Sequence, residues 1–256
     1  MRARSPALWA AALAVYAFLY LPLLVVIVFS FNDSRLNARW SGFTLDWYRK
    51  LFTNEQLLSA AWNSFVIALA VTLISVIVGT LAGIALSRYK ARFLSFLVVT
   101  PMAVPDILTG VSLLVFFVMI HLTLGMQSVI LAHVSFCISF VAIVVRSALA
   151  NLDPHLVEAA RDLGASPWVA FRQVVLPAIT PGIVAGALLA FTMSIDDFVI
   201  TIFTAGAGTT TFPLQVYSMI KVSITPEINA VSTLLMLLTL SLVIVASRLA
   251  PEAMRG

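Results

Sequence analysis

Six apolar stretches constrain this chain more than any other feature. They fall at approximately 8–29, 63–86, 96–120, 128–148, 181–203 and 229–248. A helix of about 20 such residues spans the hydrocarbon core of a bilayer. Lipid offers no partner to a backbone N–H or C=O, so a segment that crosses it must satisfy its own hydrogen bonds as a helix. The predicted fold class is all-α: a polytopic membrane protein of about six transmembrane helices in a single domain, residues 1–256. Composition agrees, with 61% hydrophobic and 10% charged residues, against about a quarter charged in an ordinary soluble domain.

The net charge of +4 reads as basic residues retained on one side of a membrane, not as affinity for nucleic acid. The first stretch follows Arg2 and Arg4. Its apolar run is too long for a signal-peptide core and no clear small-x-small cleavage site follows, so it reads as a retained first helix kinked at Pro22. With the N-terminus inside, the cytoplasmic basic residues are Arg2, Arg4, Arg88, Lys90, Arg92, Arg146, Arg161, Arg172, Arg248 and Arg255. The outer ones are Arg35, Arg39, Arg49, Lys50 and Lys221. This bias predicts both termini in the cytoplasm.

The longest outer loop, 30–62, carries Trp40, Trp47, Tyr48 and Trp62. These suit an aromatic belt around a short surface helix, or contact with a solute. The turn-rich segment 204–228 is a second place for an external partner. Gly79 with Gly83, and Gly182 with Gly186, make two small-xxx-small faces that let helices approach closely. Cys137 is the single cysteine, so no intrachain disulfide forms. It shares a helix face with His133, but two groups make a poor metal site; packing is expected, with no metal and no cofactor.

Three carboxylates fall inside the apolar stretches: Asp106, Asp196 and Asp197. A charge at the bilayer centre costs about 2.5–3.5 kcal/mol on insertion scales and so faces a cavity or a partner. Counted along straight helices, Asp106 is roughly 15 Å deep and Asp196 and Asp197 roughly 22 Å. Pro101 and Pro105 precede Asp106 and can open the backbone beside it. Asp196 and Asp197, adjacent on a helix, point about 100° apart, so one can face a pathway while the other meets a neighbouring helix. No membrane-embedded Lys or Arg neutralises them, which points to a cationic solute or a proton. Ser194 adds a hydroxyl, and Phe191 and Phe198 add faces for methylenes or cations. Protonated or hydrogen-bonded aspartates that only fix helix packing are the alternative.

Between the fourth and fifth stretches lies a polar interlude, Val157 to Pro177, VEAARDLGASPWVAFRQVVLP. Asp153-Pro154 reads as an N-cap followed by proline at the first helical position. Leu156, Ala160 and Leu163 share one face, and Gly164 ends the helix in a left-handed turn. Ser166-Pro167 repeats the start, and Trp168, Phe171 and Val175 form a second apolar face closed by Pro177. Two short amphipathic helices on a cytoplasmic loop, 153–178, make a docking knob. An interfacial helix pair resting on lipid is the alternative.

Glu158, Ala159, Ala160, Gly164, Val174, Leu176 and Pro177 stand at the spacing of the EAA loop, and the chain resembles the permeases of type I ABC importers. Valine at 174 replaces the usual isoleucine, a conservative departure. FNDSR at 31–35, GFTLDWY at 42–48, PDI at 105–107, LAHVSFC at 131–137, FTMSIDDFVI at 191–200 and TFPLQVYSMIKVSITPEINA at 211–230 extend the resemblance to the C-type permeases of bacterial spermidine/putrescine importers. It implies a type I ABC importer permease fold and a transport subunit, not an enzyme, of the bacterial inner membrane. The implied partners are a second homologous permease, two copies of a cytoplasmic ATP-binding cassette subunit and a periplasmic or extracellular polyamine-binding protein. It also implies coupling through the EAA loop and a polyamine path along Trp47, Asp106, Ser194, Asp196 and Asp197.

The chain has no G-x-x-x-x-G-K-[ST] sequence, so ATP binding falls to a separate subunit. Three rivals stay open at this point. One is an ABC permease for another small solute. Another is a proton-coupled transporter using Asp106 or Asp197. The last is an intramembrane hydrolase built on Ser194, Asp196 and a remote His133, although Ser194 and Asp196, two apart on a helix, do not face each other.

Overall fold

The computed structural model describes residues 6–34, 39–89, 92–222 and 226–249. Arg2, Arg4, Arg35, Lys90 and Arg255, used above for orientation, lie outside them, as do residues 223–225 of the 211–230 motif. Of the described residues, 83% are helical. Among the described residues the β structure is one isolated bridge, Asn32 to Phe43.

In chain order the helices are α1 (Pro6–Phe29), α2 (Asp46–Thr53), α3 (Glu55–Arg88), α4 (Arg92–Ala103), α5 (Asp106–Met119) and α6 (Met126–Ala150). They continue with α7 (Pro154–Asp162), α8 (Pro167–Ile195), α9 (Val199–Thr204), α10 (Phe212–Val222) and α11 (Pro226–Leu249). Leu8–Phe29 of α1, and α3, α6 and α8, are each long and apolar enough to cross a membrane. Taken together, α4 and α5 are also long and apolar enough, as a broken span or a re-entrant loop. In α11 the stretch Pro226–Ser241 is a shorter apolar helix.

Several expected boundaries shift. The stretch 96–120 is not one helix, because α4 and α5 meet at 110°. Proline disfavours helical backbone at the residue before it, so Val104 leaves the helix ahead of Pro105. The stretch 181–203 is also broken, with α8 ending at Ile195 and α9 starting at Val199. Carboxylates compete with the backbone for hydrogen bonds and so favour helix ends, and Asp196-Asp197 stands in the gap. Depths counted along straight helices therefore fail past Pro105 and past Ile195. The helix expected to start at 63 starts at Glu55 and includes Trp62.

The interlude shows both expected starts. Asp153 accepts a hydrogen bond from the His155 amide at 2.9 Å, and Ser166 accepts one from the Val169 amide at 3.3 Å. Gly164 takes φ +88°. The second helix is not short, however, and Pro177 does not close it. Residues Phe171–Val175 form a π-turn in which the Leu176 amide reaches back to the Phe171 carbonyl. A proline clashes with the carbonyl four residues back. The widened turn just before Pro177 lets α8 run on to Ile195.

Two compact units divide the chain: Met1–Leu58 with Gln215–Leu240, and Ser59–Leu214 with Ser241–Gly256. In the first, the segment after α1 folds against α2. Ser30 Oγ lies 2.7 Å from the Tyr48 hydroxyl, and buried Asn32 donates to the Arg39 carbonyl at 2.9 Å. Phe31 stacks on Phe43.

The second unit is built around α6, 61% of whose apolar window is buried against 28% for α3 and α8. A Cβ on Gly79 would stand 2.7 Å from Val141 Cβ, and one on Gly182 2.5 Å from Ala148 Cβ. Both glycine faces thus press on α6, from α3 and from α8. Lipid is as apolar as leucine, so close van der Waals contact, not escape from water, holds such helices together. Val129, Val141, Val145, Ile179 and Ile67 fill the resulting core.

Candidate functional site

A cavity of about 400 Å³ opens where the two broken helices meet in the second unit. Asp106, Asp196 and Asp197 line it with Phe136, Phe140 and Phe198. No lining residue is Lys, Arg or His. The α4/α5 break puts Asp106 in the first turn of α5, where a carboxylate is favoured by the helix dipole. The α8/α9 break leaves Asp196 exposed in the turn at φ −102°, ψ 0°. Among the described residues neither Asp106 nor Asp196 has an ion-pair partner.

Asp197 is different. Its side chain is 11% exposed. Its Oδ1 accepts from the Thr201 amide at 2.8 Å and from the Thr201 hydroxyl at 2.9 Å, and lies 3.3 Å from His133 Nε2. Asp197 thus meets α6 while Asp196 is exposed, and a helix break, not a 100° offset along a continuous helix, sets the two apart.

His133 is the residue of this cluster that sequence reasoning underrated. It is 1% exposed on α6, yet it does more than pack. Its Nδ1 is 2.8 Å from Ser194 Oγ and its Nε2 is 3.0 Å from Thr201 Oγ1. The available signal was a histidine in an apolar span, which needs polar partners. Cys137, one turn away, donates weakly to the Ala190 carbonyl at 3.7 Å. The serine and histidine of the imagined hydrolase do meet, with Asp197 in place of Asp196. Ser194 is only 4% exposed and does not line the cavity, so the cluster gives a substrate no approach to the hydroxyl.

Trp47 is buried in the first unit, where its indole N–H donates to the Asn32 carbonyl at 2.8 Å. The Lys50 ammonium stands 4.5 Å over its ring. Trp47 is not among the residues lining the cavity.

The EAA-loop residues gather at the α7–α8 elbow. Glu158 Oε2 is 3.2 Å from His155 Nδ1, and both side chains are exposed. Leu163 is 90% and Trp168 67% exposed, and Trp168 stacks on Phe171. Val174, Leu176 and Pro177 lie in the π-turn and the helix after it, so they set the direction in which α8 leaves the elbow.

Residues 75–251 match the family of binding-protein-dependent transport system inner membrane components. The chain belongs to this family. Among relatives of this permease, the spermidine/putrescine transport system permease protein PotC of Escherichia coli (strain K12) is 40% identical over 246 residues, 95% of this chain and 93% of the relative. The putrescine transport system permease protein PotI of the same strain is 40% identical over 91% of this chain and 86% of its own. A solved bacterial alginate ABC transporter, in complex with an alginate pentasaccharide-bound periplasmic protein, matches with TM-score 0.74 at 18% identity. It covers 99% of this permease and 96% of the transporter chain, and so shows the fold.

Proposed function

We propose that this chain is the membrane-spanning permease subunit of an ATP-driven importer that moves polyamines, spermidine or putrescine, across the bacterial inner membrane. The observation that carries the solute class is the cavity at the two helix breaks. It offers carboxylates and aromatic faces without a cationic side chain, which suits a flexible chain of ammonium groups and methylenes. The identity to PotC over 95% of the chain supports the same class.

Asp106 and Asp196 meet the solute directly. Asp197 forms the fixed wall beside them, and Ser194 stands behind that wall. Binding here is weak, because a solute held tightly would not leave. A second homologous permease completes the path, and a polyamine-binding protein delivers solute from outside. Both termini are cytoplasmic, and one of two ATP-binding cassette subunits takes up the exposed elbow at 153–178. ATP-driven closure of those subunits moves α8 through Glu158, Ala159, Ala160, Gly164, Val174, Leu176 and Pro177.

The test is uptake of labelled spermidine and putrescine by cells lacking their own polyamine importers, with the complete set of subunits expressed. ATP-dependent uptake that falls at least about tenfold in Asp106→Asn/Asp196→Asn, with assembly intact, is the expected result. An assembled wild-type complex that hydrolyses ATP but accumulates neither polyamine overturns the solute.

A further inference from the structure

We infer that His133 is a positioning residue that staples the two sides of the α8/α9 break and fixes Asp197 as the wall of the cavity, leaving Asp196 as the carboxylate of the pair that meets solute. Its value to transport rests on the reading of the cavity as the solute path.

The staple joins three helices. His133 sits on α6, Ser194 in the last turn of α8 and Thr201 in the first turns of α9. Its ring contacts Ser194 with one nitrogen and Thr201 and Asp197 with the other, at 2.8, 3.0 and 3.3 Å. The hydrogen bonds close completely with a neutral ring protonated at Nε2. Ser194 then donates to Nδ1, Nε2–H donates toward Thr201 Oγ1 and Asp197 Oδ1, and the Thr201 hydroxyl donates to Asp197 Oδ1. Thr201 is fully buried and Ser194 nearly so, so water does not stand in for a lost partner.

His133 does not touch the cavity, although Phe136 and Phe140 of the same helix do. It therefore acts through the break. A break inside a membrane persists only where its freed backbone groups are satisfied. Asp197 satisfies the Thr201 amide at 2.8 Å, and His133 holds Asp197 in place to do so. The same clamp sets the turn from which Asp196 projects.

Two substitutions separate the two ends of the ring. Glutamine at 133 extends an amide N–H toward the site of Nε2 and leaves Ser194 without its acceptor. Asparagine reaches Ser194 and leaves Asp197 without its donor. In the complete importer reconstituted in vesicles, H133Q is expected to retain ATP-dependent spermidine uptake within about threefold of wild type, and H133N to lose about tenfold. The H133N/D197N double variant is expected to match D197N within about twofold, because both changes break one contact. Wild-type uptake in H133N, a double variant reduced by the product of the single losses, or equal loss of assembly in H133Q and H133N would overturn the positioning role.

A solute-independent readout separates this idea from the polyamine reading. With buried Cys137 changed to alanine, Asp196→Cys is labelled by a cationic methanethiosulfonate, and its rate is compared in the His133 variants. The rate is expected to change at least about threefold with H133N and to stay near wild type with H133Q; an unchanged rate with H133N sinks the proposal. If the wild-type importer turns over ATP but takes up no polyamine, the solute reading alone fails and the labelling rates still decide the role of His133.

Discussion

Gly182 of α8 lies so close to Ala148 of α6 that a Cβ added to the glycine would stand 2.5 Å from the alanine Cβ. The two helices cannot both stay in place around an extra methyl group. Overpacking of this kind costs about 1–3 kcal/mol. Gly182→Ala is expected to lower the thermal stability of the purified permease complex. Adding Ala148→Gly should recover most of the loss, since it returns the missing volume. Unchanged unfolding temperature in the single variant would show that the helices are not in close contact there.

Much of the fold was legible because lipid leaves so few options. Apolar length gave the helices at 8–29 and 128–148 almost as they stand. The glycine pairs at 79/83 and 182/186 announced close approach, though not that α6 is the shared partner. The EAA pattern and its caps at Asp153 and Ser166 were legible because each rests on a local hydrogen bond. What periodicity hides is a break within an apolar run. Val104-Pro105 and Asp196-Asp197 are flanked by apolar residues on both sides, so hydropathy joins what the backbone separates. The His133 cluster was hidden for another reason. Its members at 133, 194 and 201 meet only after three helices pack, and no local spacing relates them.

Trp168 is 67% exposed beside its stack on Phe171, and Leu163 is 90% exposed. Truncating such side chains costs the isolated subunit little, because surface substitutions away from special features stay within about ±0.5 kcal/mol. Trp168→Ala is therefore expected to insert and fold normally while reducing the amount of ATPase subunit that copurifies. Buried aromatic anchors dominate interfaces and cost about 2 kcal/mol or more when truncated. Undiminished copurification and uptake would leave the elbow without its docking role.

Trp47 separates a structural function from a solute contact. Its indole N–H is bonded to the carbonyl of Asn32, a residue with no exposure, so Trp47→Phe removes the donor and strands a buried acceptor. Such a loss costs about 1–3 kcal/mol. The expected outcome is a lower unfolding temperature, with uptake per assembled complex close to wild type at a permissive temperature. Normal stability combined with lost uptake would instead put the indole in contact with the solute.

Gly164 sits at φ +88°, and an added Cβ there meets nothing within 4 Å. Steric room is therefore not the constraint; backbone conformation is. A left-handed residue that is not glycine costs about 1–2 kcal/mol, and asparagine tolerates the region better than β-branched residues do. Gly164→Val is expected to redirect the path from α7 to α8 and uncouple ATP turnover from solute delivery. Gly164→Asn should keep the turn and most of the activity. The comparison is made on assembled complexes, as ATP hydrolysis stimulated by the solute-loaded binding protein. Equal stimulation in both variants would mean that the angle of the elbow does not matter, whereas loss confined to valine would tie coupling to the left-handed turn at this one position.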